Sequence, residues 1–196
     1  MKSSQNAIEL IHRFEGWDIA SQWPGEKSGI TIPYGYDLGY EQNFESDWKP
    51  FLQAATIERL KPAIGMRGQS ARHLAPSMRG IQIPKEGAES VFENRVLPRT
   101  EAAVEKVFPG SGTLPGDAFG ALVSLIFNRG ELIDHSDRRR EMLQLRQLFL
   151  KGQPYDLRKI ADLVESQKRL WPHRGDSDGD LWTRRIEEAK LIRSAA

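Results

Sequence analysis

Apolar side chains recur at helical spacing along most of the chain. The first predicted helix, residues 4–14, begins after Ser3 or Ser4, either of which can serve as its N-cap. Residues 117–127 are apolar nearly all round, which predicts a central buried helix, and Gly130 is suited to end it. These patterns predict a mostly α-helical protein.

Proline and glycine divide the remaining helical segments. Pro84 opens a long helical stretch that runs to about Phe108, and Pro98 should kink or divide it. Shorter helices are predicted between residues 44 and 79. The last three predicted helices cover residues 137–150, 156–169 and 181–192.

A short β-hairpin is predicted near the N-terminus. Between residues 16 and 40 glycine and proline recur too often for a helix. Residues 29–32 and 34–36 are β-prone and stand close enough to pair. The predicted fold class is therefore mostly α (α+β), with one small hairpin.

Composition excludes several kinds of protein. The chain has 196 residues, of which 39% are hydrophobic and 28% charged, as expected for one globular domain with a core. Its 28 basic and 27 acidic residues leave a net charge of +1, so nucleic acid is not an expected partner. The absence of cysteine excludes disulfides, thiolate zinc sites and a thiol nucleophile. No apolar run approaches the about 20 residues of a membrane span, so membrane insertion is not expected.

A glutamate ends the first predicted helix. Glu15 precedes Gly16 at the negative end of the helix dipole, where a carboxylate is disfavoured by up to about 1 kcal/mol. That field, together with burial against Phe14 or Trp17, would favour the protonated carboxyl that a general acid needs. An exposed glutamate that merely tolerates its position is the alternative interpretation.

Residues 28–40 combine a hydroxyl, a carboxylate and three tyrosines in a glycine-rich hairpin, and Trp17 and Trp23 lie just before them. Aromatic rings beside carboxylates are typical of sugar-binding clefts, because a pyranose has an apolar face and polar edges. The same rings could instead pack on the core, and both interpretations stay open at this point.

These segments resemble the catalytic segment of phage-type lysozymes, a family of glycoside hydrolases. The resemblance is carried by Phe14-Glu15-Gly16, Ser28-Gly29-Ile30-Thr31-Ile32 and Gly35-Tyr36-Asp37-Leu38-Gly39. It is closest to the pesticin-like branch, in which the acidic residue follows the threonine by six positions, as Asp37 follows Thr31. Residues 83–89, 121–130 and 182–189 resemble later segments of the family in the same order.

The resemblance implies a two-lobed, lysozyme-like catalytic domain over residues 1–196. A lobe containing the hairpin would cover about residues 15–83, and a connecting helix about 84–108. The helical lobe would cover about 109–196 and pack with the helix at residues 3–14.

The resemblance also implies a chemistry. Glu15 would donate a proton to the β-1,4 glycosidic oxygen between N-acetylmuramic acid and N-acetylglucosamine, and Asp37 with Thr31 would orient the attacking water. Inverting hydrolysis of this kind needs roughly 6.5–9.5 Å between the two carboxyls. No cofactor or metal is implied. The residues expected to contact substrate are Trp17, Tyr34, Tyr36 and one of Arg184 and Arg185.

The sequence departs from the family pattern in the hairpin. Pro33 stands where the family usually has glycine, so the hairpin backbone should be stiffer or differently turned. Glu26 lies in the region where many phage lysozymes carry the catalytic aspartate, and it is the alternative to Asp37. Residues 41–80 have no assigned role. A lytic transglycosylase and a non-catalytic peptidoglycan-binding module remain the rival functions.

Three polar segments have simpler interpretations than chemistry. Residues 176–180 resemble a calcium loop, but glycine is missing from its sixth position, so Asp180 is predicted to cap the last helix instead. Asn128 and Arg129 are predicted to end a helix and brace the site. Residues 137–141 (Asp-Arg-Arg-Arg-Glu) are predicted to form a solvated helix start, or to contact anionic wall polymers.

The expected partner is the glycan of peptidoglycan, together with a delivery machinery or an immunity protein, and the chain is expected to be a monomer. The N-terminus lacks the apolar core of a signal peptide. The chain is therefore expected to be made in the cytoplasm and to act on the wall in the periplasm or outside the cell. A phage endolysin, a bacteriocin domain and an injected effector all fit.

Overall fold

A computed structural model describes residues 2–16, 21–25, 27–171 and 180–196. The described residues are mostly helical with one two-stranded antiparallel sheet, which confirms the predicted mostly α class. The chain divides into two compact units: a hairpin unit, Glu15–Val96, and a helical unit, Met1–Phe14 with Leu97–Ala196. None of the described helices is both long enough and apolar enough to cross a membrane.

The helices follow the predicted order. In the hairpin unit they are α2 (Phe44–Trp48), α3 (Ala54–Leu60), α4 (Gln69–Met78) and α5 (Lys85–Val91). In the helical unit they are α6 (Leu97–Val107), α7 (Gly116–Arg129), α8 (Arg140–Leu150), α9 (Leu157–Ser166) and α10 (Leu181–Ser194). Helix α1 (Gln5–Glu15) begins in the helical unit and ends on the first residue of the hairpin unit.

The predicted hairpin is present and short. Strand β1 (Thr31–Ile32) pairs with β2 (Tyr36–Asp37). The chain reverses through Tyr34 and Gly35, whose φ angles are 57° and 70°. This left-handed conformation is unfavourable for a tyrosine. Tyr34 is held in it by burial, since its ring lies 5.8 Å from that of Phe92.

Residues 41–80, to which the sequence assigns no role, support the hairpin. The amides of Gly65 and Gly68 donate to the carbonyls of Leu38 (3.0 Å) and Ser28 (2.9 Å). The Trp48 ring packs edge-on against the ring of Tyr36, with 5.4 Å between the centroids. Residues 41–80 therefore hold the hairpin in place through both backbone hydrogen bonds and side-chain packing.

Helix α7 is the buried centre of the helical unit, as predicted. Its residues 118–126 are buried, and it packs against α6 and α10, while α10 also packs against α9. Helix α1 approaches α7 closely at Gly120, where an added Cβ would lie 2.2 Å from the Cβ of Ala7.

Three predicted helix ends are confirmed. The Ser4 hydroxyl accepts from the amide of Ala7 (3.2 Å), so Ser4 rather than Ser3 caps α1. Asp180 caps α10 by accepting from the amide of Thr183 (3.3 Å). Gly130, with a φ of 72°, ends α7.

The long stretch after Pro84 is divided before Pro98. Residues Phe92–Val96 form a π-helical segment between α5 and α6. Proline lacks an N–H, and its ring crowds the carbonyl four residues earlier, so the helix widens where Pro98 would otherwise clash. The boundary between the two units falls at the end of this segment.

Candidate active site

Thr31 and Asp37 lie directly opposite each other in the hairpin. Residues opposite one another in an antiparallel pair share one face, with Cβ atoms about 4.5–5.5 Å apart. Both side chains are half-buried. The pairing therefore brings a hydroxyl and a carboxylate together, as the sequence predicts.

The carboxylate of Asp37 is held by backbone amides. Its Oδ1 accepts from Gly39 N (2.8 Å), and both oxygens accept from Gly29 N (3.1 and 3.0 Å). An ionised carboxylate has about four acceptor positions, so this geometry fixes the group and leaves capacity for a water molecule. A carboxylate held in this way is suited to positioning a reactant, because the orientation of the carboxylate does not depend on bound substrate.

Two glycines make this bracing possible. A Cβ on Gly29 would lie 2.2 Å from Asp37 Oδ1 and 2.4 Å from the amide nitrogen of Gly39. A Cβ on Gly39 would lie 2.8 Å from the carbonyl oxygen of Met66. Neither position accepts a side chain, so the glycines around Asp37 are required by close backbone approach.

We therefore expect Gly29→Ala to destabilise the protein by about 1–3 kcal/mol, the usual cost of overpacking. Urea unfolding measures the loss. Gly112→Ala is the matched control, since the atoms nearest to a Cβ there belong to the flexible ends of the Glu105 and Lys2 side chains. A Gly29→Ala protein as stable as the control would contradict the bracing of Asp37.

Burial raises the pKa of Asp37 above its ordinary value. The amides of Gly29 and Gly39 oppose this rise by stabilising the anion. Glu41 adds to the rise and Arg67 reduces it. The pKa of Asp37 therefore depends on its burial, on two backbone amides and on two nearby charged side chains.

Glu15 is the last residue of α1 and is half-buried. The helix is amphipathic, and its buried side anchors it: Ala7, Ile8, Leu10 and Ile11. Gly16 follows with a φ of 66°, so the chain turns immediately after the carboxylate. Glu15 is therefore carried on a rigid element, at the position that the sequence predicts.

The rings of Tyr34 and Tyr36 are buried, and their role in substrate binding stays a prediction. Their side chains are 2% and 1% exposed. The Tyr36 hydroxyl donates to Asp47 (2.9 Å), and its ring packs on Trp48. Both rings belong to the core of the hairpin unit.

Arg184 and Arg185 are also buried, and the expectation that one of them contacts substrate stays a prediction. They donate to Glu188 Oε1, from Arg184 Nε at 3.3 Å and from Arg185 Nη2 at 2.7 Å. Ser124 donates to the same oxygen (2.6 Å). Sequence reasoning missed the roles of Glu188 and Ser124.

Trp23, one of the aromatic residues just before the predicted hairpin, lies beside it. Its indole N–H donates to the carbonyl of Ser28 (3.1 Å), and the Arg72 guanidinium lies 5.8 Å from its ring. Both residues line an open cavity of about 470 Å³. Gln22 also lines this cavity and forms an antiparallel β-bridge with Thr31. The β-bridge joins the cavity wall to the candidate site.

Several predicted residues lie outside the described residues: Trp17, Glu26 and the 176–179 part of the calcium-like loop. Within the part of the chain that the structure describes, no group of three or more histidine, aspartate and glutamate side chains could hold a metal ion.

The sequence was compared with known protein families and with curated proteins. No protein-family model matches this chain. No curated protein matches it either.

Proposed function

We propose that this protein is a peptidoglycan muramidase. It hydrolyses the β-1,4 bond between N-acetylmuramic acid and N-acetylglucosamine with inversion, and so lyses bacterial cell walls. The observation that carries the proposal is the pairing of Thr31 with Asp37 on one face of a braced hairpin. A two-lobed lysozyme-like fold is part of the same proposal, and the division into two compact units supports it.

Asp37 and Thr31 hold the attacking water in this mechanism. The carboxylate accepts one proton of the water and the threonine hydroxyl orients it, so that the oxygen lone pair faces the anomeric carbon. The amides of Gly29 and Gly39 keep Asp37 in place while the proton moves. Such fixed orientation is the part of catalysis that a rigid hairpin can supply.

Glu15 is the general acid. It donates a proton to the glycosidic oxygen as the bond to the anomeric carbon breaks, and N-acetylglucosamine leaves with a free hydroxyl. Proton transfer by a positioned carboxyl contributes about 10²–10⁴-fold to such reactions. Water adds to the opposite face of the sugar, which inverts the anomeric centre.

The acid side of the pH–activity profile should report Asp37, which must be ionised to accept a proton. Its raised pKa places this limb above the range of an ordinary aspartate. Arg67→Met removes a charge that lowers the pKa of Asp37, so the limb should move to higher pH. Glu41→Gln removes a charge that raises it, so the limb should move to lower pH. Shifts of both variants in one direction would contradict this role of Asp37.

Analysis of the products formed from purified peptidoglycan tests the proposed function. A muramidase leaves new reducing ends on N-acetylmuramic acid. A lytic transglycosylase, which needs the acid but not the water-holding pair, leaves anhydro ends instead. A binding module releases nothing, and either of these two results would overturn the proposal.

A further inference from the structure

The open cavity beside Trp23 lies within the hairpin unit, and the proposed mechanism does not use it. Its volume of about 470 Å³ falls within the roughly 300–1,000 Å³ of small-molecule sites. One aromatic ring, Trp23, and two cations, Arg72 and Arg79, line it, and none of the described residues around it is acidic. The cavity therefore presents an apolar surface and positive charge together, at a place that solvent reaches.

Both arginines come from one side of α4. Arg72, Ala75, Pro76 and Arg79 are spaced by three and four residues, so they share a face of the helix, with Arg79 directly after its last residue. Alanine and proline are short, which leaves the surface between the two arginines recessed. Seven residues of helix span about 10 Å, a distance over which two arginine side chains can converge on one ligand.

The charges of these two arginines are not neutralised by the surrounding chain. Both residues are exposed, and among the described residues their guanidiniums make neither an ion pair nor a hydrogen bond. Arg72 stands in the first turn of α4, where the helix dipole disfavours a cation. Its attraction to the Trp23 ring, 5.8 Å away, leaves its N–H groups available. The cavity is therefore suited to an anionic ligand.

The wall that carries Trp23 is fixed both to α4 and to the candidate active site. The Ser21 hydroxyl donates to the carbonyl of Met78, the last residue of α4. Gln22 exchanges two backbone hydrogen bonds with Thr31 (3.0 and 2.7 Å). Trp23 follows directly, so its ring is held beside both the helix and Thr31 before a ligand binds. A ligand in the cavity is thereby placed at a fixed position relative to the hairpin.

We propose that this cavity binds a carboxylate-bearing N-acetylmuramyl unit of the glycan. The apolar face of the sugar contacts Trp23, and the carboxylate, on the lactyl group or on the attached peptide, accepts from Arg72 and Arg79. Arginine suits this role because its planar fork matches a carboxylate. The identity of the ligand rests on the proposed function. Only one of the two alternating sugars carries an acid substituent, so a subsite selective for it sets the register of the glycan strand relative to Thr31 and Asp37.

An NMR titration of the full chain tests the proposal. The probes are N-acetylmuramic acid, whose lactyl carboxylate is free, and N-acetylmuramyl-L-alanyl-D-isoglutamine, whose carboxylate lies on the peptide. The Trp23 indole N–H signal, assigned by its absence from Trp23→Phe, should shift saturably with at least one of them. Binding of the first probe alone assigns the site to the lactyl carboxylate, binding of the second alone assigns it to the peptide, and binding of both shows that either carboxylate is accepted.

The methyl ester of each probe keeps its shape without the charge. A solvent-exposed ion pair contributes about 2- to 5-fold to binding, so two arginines should make the ester bind at least about 4-fold more weakly than the acid. The double variant Arg72→Met/Arg79→Met should lose this preference. Arg59→Met, exposed on α3 of the same unit, is the matched control and should keep it. A thermal melt confirms that each variant folds.

The subsite and the proposed function can fail separately in this experiment. None of the probes contains the β-1,4 bond, so their binding does not require hydrolysis. A chain that prefers the acids but releases no product from peptidoglycan would refute the hydrolysis and keep the subsite. Equal binding of acid and ester by the unaltered chain, a preference that the double variant keeps, or the absence of any shift at Trp23 would overturn the subsite, whether or not the chain is a hydrolase.

Discussion

Glu15→Gln is expected to abolish lysis of outer-membrane-permeabilised cells, with a loss of at least about 100-fold. Glutamine keeps the shape of the side chain but cannot donate the proton that the leaving group needs. The thermal melt should stay unchanged or rise slightly, because a carboxylate is removed from the negative end of α1. The clearing of turbid cell suspensions measures the activity.

Glu9→Gln is the matched control for this change. Glu9 lies on the exposed side of the same helix, where its hydrogen bond among the described residues is with the side chain of Gln5. This variant should lyse cells as the unaltered protein does. Lysis at the unaltered rate by Glu15→Gln would remove the general acid from the mechanism.

Asp37→Asn is expected to lose most activity, because an amide cannot accept the proton of the attacking water. It should also cost some stability. The oxygen of the new side-chain amide can still accept from one of the two backbone N–H groups, but its NH₂ group would face the other donor. The rate of glycan cleavage and the urea midpoint should be measured on the same sample.

Glu26→Gln distinguishes the two candidate partners of Glu15. We expect this variant to keep its activity, since the bracing amides belong to Asp37. The opposite pattern, an active Asp37→Asn and an inactive Glu26→Gln, would move the catalytic pair to the loop before Thr31. In that case the bracing of Asp37 would be purely structural.

The helices could be predicted from the sequence because their signals are local. The caps at Ser4 and Asp180 and the terminating Gly130 each act within one turn, and each is present. The apolar run of α7 likewise needs no knowledge of its neighbours to be recognised as buried. Pro98 predicts a break in the helix, but it does not predict that the residues before it form a π-helical segment.

The burial of Tyr36 could have been predicted from alternation. Residues two apart on one strand share a face. Tyr36 therefore shares its face with the core residue Leu38, whereas Asp37 lies on the other face with Thr31, its partner in the pairing. Tyr34 lies in the turn, where the two-residue period does not apply, so its burial could not have been predicted in this way.

The hydrogen-bond partners of Arg184 and Arg185 were harder to predict from the sequence. Glu188 follows them by four and three residues, a spacing that favours ion pairs on one helix face. That spacing cannot show whether the face is buried. Ser124, whose hydroxyl completes the cluster, lies on another helix sixty-four residues away from Glu188. Only the packing of α10 on α7 brings these groups together.

The configuration of the first product tests the central claim most directly. Proton NMR of a soluble peptidoglycan fragment, recorded before mutarotation, resolves the new reducing end of N-acetylmuramic acid. If Glu15 protonates the leaving group while Thr31 and Asp37 hold the attacking water, this end must appear first as the α-anomer. A β-anomer as first product, or a product without a reducing end, would contradict the account.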